Sequence, residues 1–97
     1  MENNKEIKGK LDYTTVPISA ITGIAKVREY GIAKYKDRDS WRLVDPELYK
    51  QALLRHLYSW LNGENFDKES GLCHIDHMLC NLVFLRELLI VEVNNES

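Results

Sequence analysis

Residues 45–63 read DPELYKQALLRHLYSWLNG, and this stretch decides the fold. Asp45 is a good helix N-cap, Pro46 suits the first helical position, and Glu47 sits favourably at the positive end of the helix dipole. Tyr49, Ala52, Leu53, His56, Leu57, Trp60 and Leu61 then recur at helical spacing as one stripe. Gly63 stands where a terminating glycine belongs. The pattern predicts a helix over about 46–62, with His56 inside its packed face.

Working outward, Gly63 to Gly71 (GENFDKESG) is a short acidic connection of the length that joins two antiparallel helices. A last helix is expected over about 72–93. Ile75, Met78, Leu79, Leu82 and Leu89 mark one apolar face. His74, His77 and Asn81 mark a neighbouring face that continues into Phe84, Leu85 and Leu88. Its C-terminal half is apolar nearly all round, and such a helix is usually buried on more than one side. A second copy of the chain is the expected cover, held by Phe84, Leu85, Leu88 and Leu89. On the N-terminal side, Pro17 starts a helix in which Ile18, Ile21, Ile24, Ala25 and Val27 follow helical spacing, and Gly31 weakens or ends it. Lys34 to Trp41 then reads as a charged turn or loop. The expectation is an all-α bundle: an antiparallel hairpin (about 46–62 and 72–93) plus an N-terminal helix (about 17–31), completed by oligomerisation. Residues 11–93 form one domain, between a loose arm (1–10) and a short tail (94–97).

Composition fits this reading. The 97 residues are 44% hydrophobic and 29% charged, with a formal net charge of −2. That balance speaks against a nucleic-acid partner, which demands a basic surface. The N-terminus carries no signal-like apolar run, and the apolar stretch from Leu82 to Val93 is too short and too charged to span a bilayer. A cytoplasmic protein without membrane contact is expected. Cys73 and Cys80 lie seven apart, about 10 Å on one helix, too far for a disulfide within the chain. They read as small apolar residues in a reducing compartment, with metal ligation or an intermolecular bridge as the alternatives.

The residues that can carry chemistry cluster between Arg55 and Asn81. His74, His77 and Asn81 stand at i, i+3 and i+7 on one helix face, and a hairpin brings His56 towards them, near Glu64, Asp67 and Glu69. One reading is a divalent metal site, with His74 and His77 as ligands and loop carboxylates completing the set. A second is a polar pocket without metal, in which imidazoles and Asn81 bind phosphate, ribose or base, while Trp41 and Trp60 offer stacking surfaces. A third is purely structural, with histidines hydrogen-bonding across a helix seam. Lys34 and Arg38, four apart, suit a phosphate, and Arg55 beside His56 is a further anchor. No glycine-rich phosphate loop or nucleophile elbow is present.

Two blocks are more specific. R-H-x-x-x-W-x-x-G-E (Arg55, His56, Trp60, Gly63, Glu64) precedes D-x-E-S-G-x-x-H-x-x-H-x-x-x-N (Asp67, Glu69, Ser70, Gly71, His74, His77, Asn81). Upstream stands Y-G-x-x-K-Y-x-x-R-x-x-W (Tyr30, Gly31, Lys34, Tyr35, Arg38, Trp41). Over about residues 10–88 the chain resembles the small phage and prophage domain labelled the N-terminal domain of dATP/dGTP diphosphohydrolase. The resemblance implies a nucleotide substrate cut between its α and β phosphates and a divalent metal (Mg, Mn or Zn). It also implies a protein acting in the host cytoplasm, and kinship with the all-α nucleotide pyrophosphohydrolases. Those enzymes hold magnesium through carboxylates on two helices. Here the corresponding faces carry His56, His74, His77 and Asn81, leaving Glu64, Asp67 and Glu69 of the connection as candidate catalytic carboxylates. Magnesium prefers oxygen ligands, so a non-catalytic nucleotide binder that sequesters a nucleotide-derived immune signal is the alternative. An oligomeric interaction module is the third.

Overall fold

The computed structural model describes residues 9–91. The tail and nearly all of the expected arm lie outside them. The described chain is helical throughout, its only sheet-like feature an isolated antiparallel bridge between Phe66 and Cys73. A 3-10 turn, Tyr13–Thr15, is capped by Asp12, whose side chain accepts from Thr14 N at 3.0 Å. Three helices follow: α1 (Ile18–Tyr35), α2 (Pro46–Leu61) and α3 (His74–Leu85). A second 3-10 turn, Ser40–Leu43, links α1 to α2, and a π-helical segment, Arg86–Val91, continues α3.

α2 follows its sequence signals closely. Asp45 caps it by accepting from Glu47 N at 2.9 Å, with Pro46 in the first turn. α1 departs from expectation. It runs straight through Gly31 and ends at Lys36, which adopts the left-handed conformation (φ 61°) and donates its N–H to Ile32 O at 2.7 Å. A helical glycine costs about 1 kcal/mol relative to alanine, too little by itself to stop a helix. Lys34 therefore sits on a helix and not in a loop. α3 begins two residues later than expected, because Leu72 and Cys73 are held by the connection: Asp67 N donates to Leu72 O at 2.8 Å and His74 N to Asn65 O at 2.9 Å.

The bundle is arranged around α3. α2 packs along it most extensively, and α1 packs on it less so. The α2–α3 pair is antiparallel: Tyr49, near the start of α2, meets Phe84, near the end of α3, while His56 meets His74 at the start of α3. Gly23 makes the α1–α3 approach, since a Cβ there would fall on the Asp76 carboxylate, 2.6 Å from its Cγ.

The centre of the molecule is mostly polar. Val27 and Cys80 are the buried apolar side chains, whereas His74, His77 and Asn81 are all buried. The expected apolar stripe of α2 overshoots: Trp60 and Leu61 are exposed. Phe84, expected at a subunit seam, faces inward and stacks on Trp41, while Leu82, Val83, Leu89 and Ile90 remain exposed. Both cysteines are free. Among the described residues, no helix is long and apolar enough to cross a membrane.

Candidate functional site

α1 and α2 diverge over α3 and enclose an open cleft of about 720 Å³, with α3 as its floor. At one end the three histidines meet. The rings of His56 and His77 stack, with centroids 4.4 Å apart and planes 6° apart, and His56 tilts against His74 at 5.0 Å. The Nδ1 atoms of His56 and His74 lie 2.8 Å apart, and His74 Nε2 lies 2.8 Å from Glu64 Oε1. An ionised carboxylate only accepts, so His74 carries a proton on Nε2. The tautomers of the two rings set which Nδ1 donates across the His56–His74 contact.

The connection supplies the fourth side of this end. Gly71 takes a positive φ of 76°, which an L side chain rarely adopts, and its N–H donates to Asp67 O at 2.8 Å. The tight turn folds Asp67 back over α3. Ser70 N donates to Asp67 Oδ2 at 2.8 Å, while Ser70 Oγ pairs with His77 Nε2 at 2.7 Å and accepts from Leu72 N at 3.1 Å. Asn81 Nδ2 donates to His77 O at 3.0 Å. One ligand atom each from His56, Asp67 and His74 then lies within 4.8 Å of the others. His77, bound to Ser70, is not part of that group.

Burial pushes His56 down to about 4, helped by the neighbouring His77 and His74. Burial also lowers His77. Burial works against ionisation of Asp67, but the hydrogen bonds from Ser70 and the nearby imidazoles outweigh it and hold its carboxyl below the usual range. At neutral pH the site therefore offers an ionised carboxylate beside neutral His56 and His77 rings, the protonation state that binds a metal or accepts a proton.

Along the rim, Glu69 Oε2 accepts from Lys34 Nζ and from the Tyr30 hydroxyl, each at 2.6 Å. The Lys34 bond, then the Tyr30 bond, lowers the Glu69 carboxyl, and the same carboxylate raises Lys34. Arg55 lines the cleft from α2 with an exposed side chain. The far end is aromatic. Trp41 stacks on Phe84 (4.7 Å, 17°) and carries the Arg42 guanidinium at 4.5 Å. Tyr49 donates its hydroxyl to Trp41 O at 3.0 Å, and burial pushes that phenol up to about 12. Arg28 lies 5.3 Å over the Phe84 ring and donates to Arg38 O at 2.6 Å.

Of the residues named in the sequence as candidate ligand-binding, metal or catalytic groups, all but Arg38 and Trp60 line the cleft. Arg38 contributes its backbone carbonyl to Arg28, and Trp60 is 39% exposed at the outer end of α2. Trp41 lines the cleft, but its ring is already engaged by Phe84 and Arg42. Sequence reasoning missed Arg28 and the pairing of Ser70 with His77, and it placed Tyr30 in the upstream motif without a role at the site. Carrying the α1 periodicity past Gly31 puts Lys34 on the face of Val27, Tyr30 and Gly31, which is where the cleft lies.

No curated protein and no solved structure matches the chain. The family model described as dATP/dGTP diphosphohydrolase, N-terminal, matches residues 1–96. With nearly every residue inside that match, the chain belongs to the dATP/dGTP diphosphohydrolase N-terminal family.

Proposed function

We propose that the cleft binds a purine deoxynucleoside triphosphate and that the chain hydrolyses it to the monophosphate and pyrophosphate. The observation that carries this reading is the polarity of the single cleft. Lys34, Arg55 and the histidine cluster gather at one end, and Trp41, Tyr49 and Phe84 form the other. A nucleotide has the same two-ended chemistry. Phosphate oxygens pair with lysine and arginine through charge-assisted hydrogen bonds, and a base packs against an apolar, aromatic wall. The family supplies the reaction class. On this reading Asp67 orients or deprotonates the attacking water, and Glu64 and Glu69 act by holding the side chains of His74 and Lys34.

The test is to incubate the protein with dATP, dGTP, dCTP and dTTP in Mg²⁺ or Mn²⁺ and to measure pyrophosphate. Release from the purine nucleotides is expected, reduced by Asp67→Asn. Absence of calorimetric binding for every nucleotide would end the proposal. Binding without turnover would leave the second reading, capture of a nucleotide-derived signal. That reading is favoured by one specific feature, the lack of paired carboxylates facing each other across α2 and α3.

A further inference from the structure

We infer that His56, Asp67 and His74 form a binding site for one divalent first-row transition metal ion, with Glu64 as its outer support. Three observations converge on it. Ligand atoms of the three residues lie within 4.8 Å of one another, and all three side chains line the cleft. His74 is 2% exposed, so its ring has one fixed orientation. Its Nε2 pairs with Glu64 Oε1 at 2.8 Å, which leaves Nδ1 facing His56. A carboxylate that orients a ligating histidine in this way also raises its basicity.

The contact between His56 and His74 gives the site its character. Their Nδ1 atoms lie at hydrogen-bond distance, 2.8 Å apart. Two nitrogens on one tetrahedral ion, each about 2.0–2.1 Å from it, stand about 3.3 Å apart. Opening the pair by about half an ångström, with both Nδ1 atoms free of protons, would thus admit an ion between them. Asp67 adds an ionised oxygen on the connection side. Two imidazoles and one carboxylate suit Zn²⁺, Mn²⁺ or Fe²⁺ and disfavour Mg²⁺, which seeks oxygen ligands. Three protein ligands facing a cleft leave a coordination position open to a phosphate oxygen or a water. His77 lies outside the group of converging ligand atoms, and its Nε2 pairs with Ser70 Oγ at 2.7 Å. The metal pair is therefore His56 with His74, across two helices, and not the adjacent His74 with His77.

Elemental analysis of the full chain, dialysed separately against Zn²⁺, Mn²⁺, Fe²⁺ (under anaerobic conditions) and Mg²⁺, tests the site without reference to activity. About one equivalent of a transition metal per chain is expected, unaffected by excess Mg²⁺. Substitution by Co²⁺ should give a visible ligand-field spectrum, reporting nitrogen ligation directly. His56→Ala and Asp67→Asn should each weaken binding at least tenfold, and Glu64→Gln about 10–100-fold. His77→Gln should retain one equivalent, with helicity followed by circular dichroism in every variant. Failure of the wild-type chain to retain any transition metal, or loss of metal in His77→Gln but not in folded Asp67→Asn, would overturn the assignment. Nucleotide calorimetry on the metal-free protein separates this outcome from the failure of the nucleotide reading.

Discussion

His56 and His77 lie ring on ring, 4.4 Å between centroids, although one comes from α2 and the other from α3. Two stacked imidazoles cannot both be charged cheaply. Unfolded histidines titrate near 6.5, whereas folded His56 is pushed down to about 4 and His77 is lowered too, each chiefly by burial. Between those values the unfolded chain binds protons that the folded chain refuses. Stability therefore rises with pH across that window and falls as pH drops from about 6.5 to about 4. Urea midpoints measured at intervals from pH 7.5 to 4 should decline, and His56→Gln should flatten the slope. A wild-type profile that is level over this range would refute the argument.

Gly23 and Gly31 lie on the same helix and predict opposite outcomes. Gly23→Ala drives a methyl onto the Asp76 carboxylate and should destabilise the α1–α3 contact by about 1–3 kcal/mol. Gly31→Ala meets open space and gains helix propensity, so it should stabilise by about 0.5–1 kcal/mol. Thermal melts of the two variants should bracket the wild type. The Gly31→Ala methyl enters the cleft, so its ligand affinity should fall while its melting temperature rises.

Lys34 should separate binding from folding. Its ion pair with Glu69 is solvent-exposed, so Lys34→Ala should change stability by less than about 1 kcal/mol. Losing a charge-assisted hydrogen bond to phosphate costs about 1.5–3 kcal/mol, which is about tenfold or more in nucleotide affinity. Calorimetry with dATP or dGTP, paired with a denaturant titration, checks both halves.

Self-association is expected through the outer face of α3 and the π-helical segment. Leu82, Val83, Leu89 and Ile90 are exposed there, and the described core buries only Val27 and Cys80 among its apolar side chains. Covering such residues contributes about 1.5–3 kcal/mol each before the cost of association. Light scattering at micromolar concentration should give at least a dimer, and Leu82→Glu with Leu89→Glu should return a monomer.

The hairpin was legible because its signals are local. The Asp45–Pro46–Glu47 cap and the spacing from Tyr49 to Leu57 fix α2, and the length of the connection fixes its antiparallel return. The convergence of His56 with His74 follows from that geometry. Other features depend on partners distant in sequence. Gly31 looked like a stop, yet α1 runs on to Tyr35, and Lys34 beyond the glycine meets Glu69, a partner 35 positions away that a local rule cannot see. Trp41 and Phe84 find one another across 43 positions, so neither the stack nor the inward turn of Phe84 could be read from helical period alone. Arg38 looked like a phosphate ligand beside Lys34, but with α1 ending at Lys36 its carbonyl is what the fold uses.

His74, His77 and Asn81 occupy the buried centre that a small bundle ordinarily gives to leucine and phenylalanine. A ligand bound by these groups would touch the same side chains that hold the helices together, so occupancy and folding would be linked by mass action. A ligand present at 100 times its dissociation constant adds about 2.7 kcal/mol to the folded state, a large fraction of what a domain this size possesses. The melting temperature thus becomes a detector for the molecule's own chemistry, and a thermal-shift panel of metals and nucleotides can identify the natural ligand before any reaction is known.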